Sequence, residues 1–392
     1  MDSPTMHRYE KELMSPESNQ EPNAPSPTPI PPTDAASSPK IALLFPGQGS
    51  QVVGMGRAFF DNNPVARQVL EEADEALGFP LTKIIFEGPE DDLKRTENTQ
   101  PAILATSIAI WRVLEPELKS RNLPICFAAG HSLGEYAAHV AAGTFSFADA
   151  VRTVRARGQF MQKAVPVGQG AMAAILGLPY DVVNDLCAQV SDELTAPPPE
   201  DPANPSEQTA AARDALSDPF NPASTLAEAA SRVSAVVSPA NINSPEQIVI
   251  SGDVEAVNRA AALCKEAGAK RTVLLPVSAP FHCALMQPAQ ENLATQLEAV
   301  AFEDPCFPVA CNVDARFIRR GPDARDTLIR QVTGAVRWVE CIQLLAANGT
   351  THFLEVGPGK VLNSLNRQID RALVSASIDE PASLEKALAL FA

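Results

Sequence analysis

Long apolar runs are missing from this chain of 392 residues, and its seven cysteines form no C-x-x-C pair. Without about 18 consecutive apolar residues, a segment cannot span a membrane as a helix. The N-terminus also lacks the charged-then-apolar layout of a secretory signal, and its acidic residues count against an organelle transit peptide. Scattered cysteines, odd in number, argue against a disulfide framework or a zinc site and favour reduced thiols. We therefore expect a soluble protein of the cytoplasm.

Basic residues are also few relative to acidic ones. The chain has 31 Lys and Arg residues and 47 Asp and Glu residues, which gives a net charge of −16. This balance argues against a nucleic-acid-binding surface. Most of the acidity lies in two segments rich in proline and acidic residues, 1–39 with a net charge of −4 and 192–231 with −7. Neither segment can bury enough apolar surface to fold. We predict a disordered tail over 1–39 and a disordered or weakly helical surface insertion over 192–231.

Strands and helices alternate in the first part of the chain. The apolar stretches "KIALLF" at 40–45 and "PICFAAG" at 124–130 are typical of buried parallel strands. Helical patterns at 63–77 and 100–118 lie between them. This alternation predicts an α/β fold, in which a parallel sheet carries helices on both faces. Further along, "CFPVACNVDA" and "THFLEVG" are predicted to be strands of the same large domain.

A second pattern begins after residue 167. Its predicted elements follow the order strand-helix-strand-strand-helix-strand, from "GAMAAILGL" to the last strand "KRTVLLPVS" at 270–278. That order is typical of a ferredoxin-like unit. We therefore expect a small domain over 168–277, inserted into a large domain that is formed by 40–167 and 278–392. The predicted insertion interrupts the small domain.

The pentapeptide Gly130-His131-Ser132-Leu133-Gly134 has the form of a nucleophile elbow, a sharp strand-to-helix turn that exposes a serine hydroxyl. An apolar strand precedes it, and the helical stretch "LGEYAAHVAA" follows, as the motif requires. A serine at this turn also lies at the positive end of the helix dipole. The alternative is a serine that only caps the helix. The strand-turn-helix context favours the nucleophile.

A serine nucleophile needs a base, and histidine is scarce in this chain. The five histidines are His7, His131, His139, His282 and His352. The first lies in the predicted tail, the second adjoins the serine, and the third stands two helical turns away. The last begins a predicted strand, whereas ligands of parallel sheets gather at the carboxyl ends. Elimination leaves His282, just after a predicted strand, and no aspartate stands out as its orienting partner.

Two further motifs carry candidate binding groups. The glycine-rich turn "FPGQGSQ" at 45–51 matches neither the dinucleotide-binding nor the P-loop pattern. It is either an ordinary tight turn or part of an oxyanion hole, in which the N–H of Gln48 would complement that of Leu133. Arg157 lies in the basic stretch "RTVRARGQFM". This stretch is either a solvated face or the source of a buried arginine that binds a carboxylate through two hydrogen bonds.

Seven motifs follow one another along the chain: "FPGQGSQVVGMG", "TQPAIL", "GHSLGEYAA", "RGQFMQKAVPVGQGAMAAILGL", "NINSPEQIVISG", "VSAPFHCALM" and "EVGPGKVL". In this combination the sequence resembles the malonyl-CoA:acyl-carrier-protein transacylase family, which belongs to the acyltransferases of fatty acid and polyketide synthesis. The resemblance runs from about Ile41 to near the C-terminus and is interrupted only by 192–231. It implies an α/β-hydrolase-like large domain with an inserted ferredoxin-like (βαββαβ) small domain.

The resemblance also implies a ping-pong reaction that needs no cofactor. Ser132 would take the malonyl group from malonyl-CoA with the help of His282, and the phosphopantetheine thiol of acyl carrier protein would then receive it. The backbone N–H groups of Gln48 and Leu133 would form the oxyanion hole. Arg157 would bind the carboxylate of the malonyl group.

Four further residues have roles that only the resemblance implies. A backbone carbonyl orients the histidine of the family, and that position falls on Gln331, which would explain why no acidic partner stands out. Asn241 and Asn243 match a motif that lines the site from the small domain. Phe281 departs from the smaller residue common in the stand-alone enzymes. By filling the space of an α-branch, it is expected to maintain specificity for malonyl.

Three other functions stay open for the sequence. One is an acyltransferase of polyketide synthesis with other extender units, which Leu133 and Phe281 disfavour. The second is a serine acyl hydrolase, against which Arg157 argues only indirectly. The third is a non-catalytic scaffold, which is disfavoured because every expected catalytic position is filled. We expect a monomer with neither a nucleic-acid nor a membrane partner. The acidic segments should repel an acidic carrier protein and are expected to lie away from its docking face.

Overall fold

The computed structural model of the protein describes residues 39–195, 236–277 and 279–391. The predicted tail, apart from residue 39, and positions 196–231 of the predicted insertion lie outside these residues. Within the described ranges, every helix is too short or too polar to cross a membrane.

The described residues form ten strands and fourteen α-helices. The strands are β1 Ile41–Phe45, β2 Ile125–Gly130, β3 Gly170–Leu176, β4 Val237–Ser244, β5 Gln247–Asp253, β6 Arg271–Leu274, β7 Val309–Ala310, β8 Phe317–Ile318, β9 His352–Val356 and β10 Val374–Ile378. The helices are α1 Arg57–Asn62, α2 Pro64–Leu77, α3 Leu81–Glu87, α4 Glu90–Lys94, α5 Thr96–Ser120, α6 Gly134–Ala141, α7 Phe147–Ala164, α8 Tyr180–Thr195, α9 Val254–Glu266, α10 Gln287–Leu297, α11 Gly321–Arg330, α12 Trp338–Ala347, α13 Val361–Ile369 and α14 Pro381–Leu388.

The larger sheet has six strands in the order β10-β9-β1-β2-β7-β8. All neighbours are parallel except β7 and β8. Strand β1 is buried throughout, and its alternate residues pack in two different cores. Leu43 packs with residues of α5, α6 and α7, whereas Leu44 packs with Trp338 of α12 and Leu362 of α13. The predicted α/β fold, with helices on both faces of a largely parallel sheet, is confirmed.

The smaller sheet has four antiparallel strands in the order β4-β5-β3-β6. Alternation along β3 again separates two faces. Ile175 packs with residues of α8 and α9 in the core of this unit. Met172 packs on the other face with Met161 of α7 and with Phe281. The smaller sheet therefore covers the part of the larger unit that contains the predicted site.

Several predicted elements have different bounds in the structure, among them the helix predicted at 100–118, which begins at Thr96 as α5. The strand predicted over 306–315 is wrong beyond β7, because the next residues turn and the N–H of Asn312 donates to the Glu135 carboxylate at 2.9 Å. The strand predicted over 270–278 ends at β6, before a proline that has no N–H to donate. Helix α8 continues four residues into the predicted insertion.

Helix α6 packs directly on the end of β1, backbone against backbone. A Cβ atom at Gly134 would lie 2.0 Å from the carbonyl oxygen of Phe45. A Cβ atom at Gly130 would lie 1.9 Å from the carbonyl carbon of Gly134. Both glycines of the elbow are therefore required by close packing. This packing fixes Ser132 between them, at the carboxyl edge of the larger sheet.

We expect Gly134→Ala to lower the free energy of unfolding by about 4 kcal/mol or more, because the added methyl group would overlap backbone atoms. Gly143→Ala is the matched control, since Gly143 follows the same helix with φ at 73° and has no atom within 4 Å of a Cβ position. The control should lower the free energy of unfolding by only about 1–2 kcal/mol, the cost of placing a residue with a Cβ atom in a left-handed conformation. Urea denaturation measures both losses. Equal losses would contradict the close packing at Gly134.

Candidate active site

The predicted site residues gather at the carboxyl ends of β1 and β2, where Phe45 is the register partner of Gly130. Ligands of open parallel sheets bind at this edge. A cavity of about 120 Å³ lies there, and Gln48, Ser132, Arg157 and His282 are among the residues that line it. Ser132 and His282, which are 150 positions apart in the sequence, thus share one cavity.

The hydroxyl of Ser132 lies 2.7 Å from Nε2 of His282. On the other side of the ring, Nδ1 lies 2.9 Å from the carbonyl oxygen of Gln331 and 3.1 Å from that of Gly334. A carbonyl oxygen can only accept, so Nδ1 carries the proton and Nε2 is free to accept the hydroxyl proton. The carbonyl of Gln331 thus lies where the family resemblance implies it, and that of Gly334 is a second acceptor that the sequence did not indicate.

Burial keeps His282 in its neutral form. The side chain is 4% exposed, and this burial lowers its pKa to about 3. The positive charge of Arg157 contributes to this lowering of the pKa, while the hydrogen bond to the Gln331 carbonyl acts in the opposite direction. His282 can therefore accept a proton throughout the neutral pH range.

Arg157 is 2% exposed, so the interpretation of its helix as a solvated face is wrong at this position. One guanidinium nitrogen donates to the side-chain oxygen of Gln100 at 2.9 Å. The other donates to Oε1 of Gln331 at 3.1 Å and to the hydroxyl of Ser132 at 3.2 Å. Burial lowers the pKa of Arg157, yet a guanidinium stays charged in proteins. Within the described residues no carboxylate forms an ion pair with it.

The two residues predicted to form the oxyanion hole both line the cavity. Leu133 is buried directly before α6, whereas Gln48 is exposed in the turn after β1. The turn contacts the elbow closely, since a Cβ atom at Gly47 would lie 2.4 Å from the carbonyl oxygen of His131. The turn after β1 and the nucleophile elbow therefore lie against each other at the edge of the cavity.

The smaller sheet contributes the two asparagines of β4. Asn241 lines the cavity, and Oδ1 of Asn243 lies 2.8 Å from Nε2 of His131. His131 is thus engaged with the smaller sheet rather than with the serine. Phe281 is 8% exposed and also lines the cavity. The structure brings all nine predicted site residues to this cavity or into contact with its lining.

Besides Gly334 and Gln100, the sequence analysis missed Asn312 and Glu135. Oδ1 of Asn312 accepts the N–H of Ser132 at 2.8 Å. The carboxylate of Glu135 accepts a hydrogen bond from Nε2 of Gln331 at 2.7 Å. Burial raises the pKa of Glu135 to about 7. Glu135 could have been found from the sequence, because it is the one acidic residue on the short helix that follows the elbow. Asn312 gave no such signal, because it lay inside a predicted strand.

The seven cysteines are free thiols. In residues 39–195, 236–277 and 279–391, no three His, Cys, Asp or Glu side chains are grouped so that they could hold a metal ion.

Comparisons with known proteins agree with the motifs. Residues 42–194 match the family described as acyl transferase domain. The malonyl CoA-acyl carrier protein transacylase of Salmonella typhimurium is 42% identical over 349 residues, which are 89% of this chain and 99% of that protein. The transacylase of Bacillus subtilis is also 42% identical, over 89% of this chain and 96% of its own length.

A solved structure with the same fold is the acyl carrier protein S-malonyltransferase from Vibrio cholerae. It is 41% identical, covers 88% of this chain and 99% of its own, and has a TM-score of 0.75. These identities extend over nearly the whole length of the relatives, so they confirm the resemblance that the motifs indicated. The chain belongs to the malonyl-CoA:acyl carrier protein transacylase family of acyltransferases.

Proposed function

We propose that this protein transfers the malonyl group of malonyl-CoA to the phosphopantetheine thiol of acyl carrier protein, in fatty acid biosynthesis. The observation that carries this proposal is the meeting of Ser132, His282 and Arg157 in one cavity. A nucleophile, a neutral base and a buried cation are the groups that transfer of an acidic acyl group requires. A similar solved structure, with a TM-score of 0.76, is a malonyl-transacylase in complex with a type II PKS acyl-carrier protein.

In the first half of the reaction, Ser132 Oγ attacks the thioester carbonyl while His282 Nε2 takes the hydroxyl proton. The backbone N–H groups of Gln48 and Leu133 stabilise the resulting oxyanion, and one such donor typically contributes about 10²–10³ in rate. When the intermediate collapses, the C–S bond breaks and CoA leaves as a thiol with the proton from His282. The second half reverses these steps, with the phosphopantetheine thiol as the nucleophile and Ser132 as the leaving group. No cofactor takes part.

Arg157 selects the acyl group in this proposal. A buried cation without an ion pair is costly, and a carboxylate that enters the cavity would supply its partner. The malonyl carboxylate fits that requirement, whereas an acetyl group does not. We propose that Phe281 restricts the space beside the acyl α-carbon and that Asn241 and Asn243 line the site from the smaller sheet. These assignments favour malonyl over branched extender units.

We also propose the finer description of the fold and location. The elbow on a parallel sheet supports an α/β-hydrolase-like domain over 40–167 and 278–392. The strand order β4-β5-β3-β6, with α8 and α9 packed on the sheet, supports a ferredoxin-like domain over 168–277. The free thiols support a reducing, cytoplasmic compartment.

Incubation with malonyl-CoA should add one malonyl group to the intact protein, because Ser132 forms a covalent ester before the carrier protein binds. Ser132→Ala should carry no adduct, since it lacks the hydroxyl. Mass spectrometry of the intact proteins measures this difference. An adduct of the same yield in Ser132→Ala would rule out the serine as the nucleophile. Release of malonate from wild-type protein without any transfer to acyl carrier protein would indicate a hydrolase instead.

Arg157→Ala should reduce malonyl transfer by about 100-fold or more, because the malonyl carboxylate loses a charge-assisted hydrogen-bonding partner. Acetyl transfer should fall much less, so the malonyl-to-acetyl ratio should decrease. Arg152→Ala is the matched control on the same helix, where the guanidinium is about half exposed and paired with Asp149 at 2.8 Å. Transfer assays with both acyl-CoAs give the ratios. An unchanged ratio in Arg157→Ala would refute the carboxylate-binding role.

The rate of Ser132 acylation at saturating malonyl-CoA should stay nearly constant from pH 8 to pH 5. The base must be neutral, and the pKa of His282 is lowered to about 3, so protonation begins only well below this range. A histidine with an ordinary pKa of about 6.5 would lose about 30-fold over the same interval. Rapid-quench measurement of one turnover gives the profile. A decline centred near pH 6.5 would show that burial does not control the base.

A further inference from the structure

Two side-chain amides hold the backbone of Ser132 on both sides. Its φ of 50° is unusual for a residue other than glycine. The N–H of Ser132 donates to Oδ1 of Asn312 at 2.8 Å, and its carbonyl accepts from Nε2 of Gln331 at 3.0 Å. Nδ2 of Asn312 also donates to the carbonyl of Gly130 at 2.8 Å. The Asn312 side chain thus links the end of β2 to the residue at the point of the turn.

Glu135 connects the backbone of Asn312 to the side-chain amide of Gln331. Its Oε2 atom accepts the backbone N–H of Asn312 at 2.9 Å and Nε2 of Gln331 at 2.7 Å. All three side chains belong to residues with 0% exposure. Buried polar groups that lose a partner cannot turn to bulk water instead. We name Glu135, Asn312 and the side chain of Gln331 the elbow brace.

The elbow brace acts on the peptide that links Ser132 to Leu133. The carbonyl of Ser132 and the N–H of Leu133 belong to one planar trans peptide, in which the two groups point in opposite directions. A hydrogen bond from Gln331 to that carbonyl therefore fixes the direction of the N–H on the other side. This N–H is one of the two proposed oxyanion donors.

We propose that Glu135, Asn312 and the Gln331 side chain are positioning residues, which hold the Ser132 hydroxyl in reach of His282 and aim the Leu133 N–H at the oxyanion. This inference rests on the proposed function of Ser132 as the nucleophile. The brace touches neither substrate nor the reacting atoms in this role. Its effect is on the geometry of groups that do.

Asn312→Ala should slow single-turnover acylation of Ser132 by about 100-fold at saturating malonyl-CoA, because a misplacement of about 1 Å at reacting groups has effects of this size. The concentration of malonyl-CoA at half-maximal rate should change by less than about threefold, since Arg157 keeps its bond to Gln100. Rapid quench followed by intact-protein mass spectrometry measures both quantities on the full chain.

Asn366→Ala is the matched control, because Asn366 is equally buried and its Nδ2 donates to Ser375 on β10, away from the cavity. It should reduce thermal stability without slowing acylation. Glu135→Ala should also slow acylation, and Glu135→Gln should recover most of the rate, since an amide oxygen can accept from both donors. If Asn312→Ala fails to fold, the two Glu135 variants still test the proposed role of the elbow brace.

The outcomes distinguish failure of the proposed function from failure of the proposed role of the elbow brace. Absence of an adduct on the wild-type protein would refute the proposed function itself. A wild-type adduct, together with folded Asn312→Ala that is acylated within threefold of the wild-type rate, would overturn only the elbow brace. Equal slowing by Glu135→Gln and Glu135→Ala, or slowing by Asn366→Ala as large as that by Asn312→Ala, would also overturn it.

Discussion

The backbone of Ser132 is held in a left-handed conformation, and the rest of the site depends on this constraint. For a residue with a Cβ atom, that conformation costs about 1–2 kcal/mol. Close packing of Gly134 on Phe45 leaves the turn little room to relax, and the buried hydrogen bonds of Asn312 and Gln331 offset the strain. His282 also has a positive φ, at 61°. The proposed nucleophile and the proposed base therefore both lie on backbone conformations that only the surrounding structure maintains.

Burial has opposite consequences for the two basic groups in the cavity. It makes His282 neutral, because imidazole loses its proton readily when the charged form is desolvated. It leaves Arg157 charged, because the guanidinium holds its proton far more strongly. One desolvated cavity thus contains both a neutral imidazole and a cation without an ion pair among the described residues. The positive charge of Arg157 also helps to keep His282 neutral, so the proposed binding group and the proposed base support each other.

Local sequence patterns predicted the elements whose signal lies within a few consecutive residues, and they failed where the structure depends on contacts between residues far apart in the chain. Strand β1 was recognisable because it is apolar throughout, and the elbow because its glycines are fixed by backbone contact. The strand predicted over 306–315 was wrong after β7, since Asn312 bonds to Glu135, which is 177 positions away. The sequence also did not indicate Gly334, because it acts through its backbone carbonyl, which has no side-chain signature. Only the position of that carbonyl relative to the imidazole of His282 identifies it.

The sequence by itself determined the alternation of strand and helix around the elbow, the position of the serine at its point and the selection of His282 as the candidate base, because each follows from local pattern or from elimination. It left open whether Arg157 is solvated or buried, and whether the turn at Gln48 is an ordinary turn or part of an oxyanion hole. Only the tertiary structure showed that Arg157 is buried and that Gln48 lines the cavity. Burial and hydrogen bonding depend on how the smaller sheet packs over the carboxyl edge of the larger one, and that packing joins residues far apart in the chain.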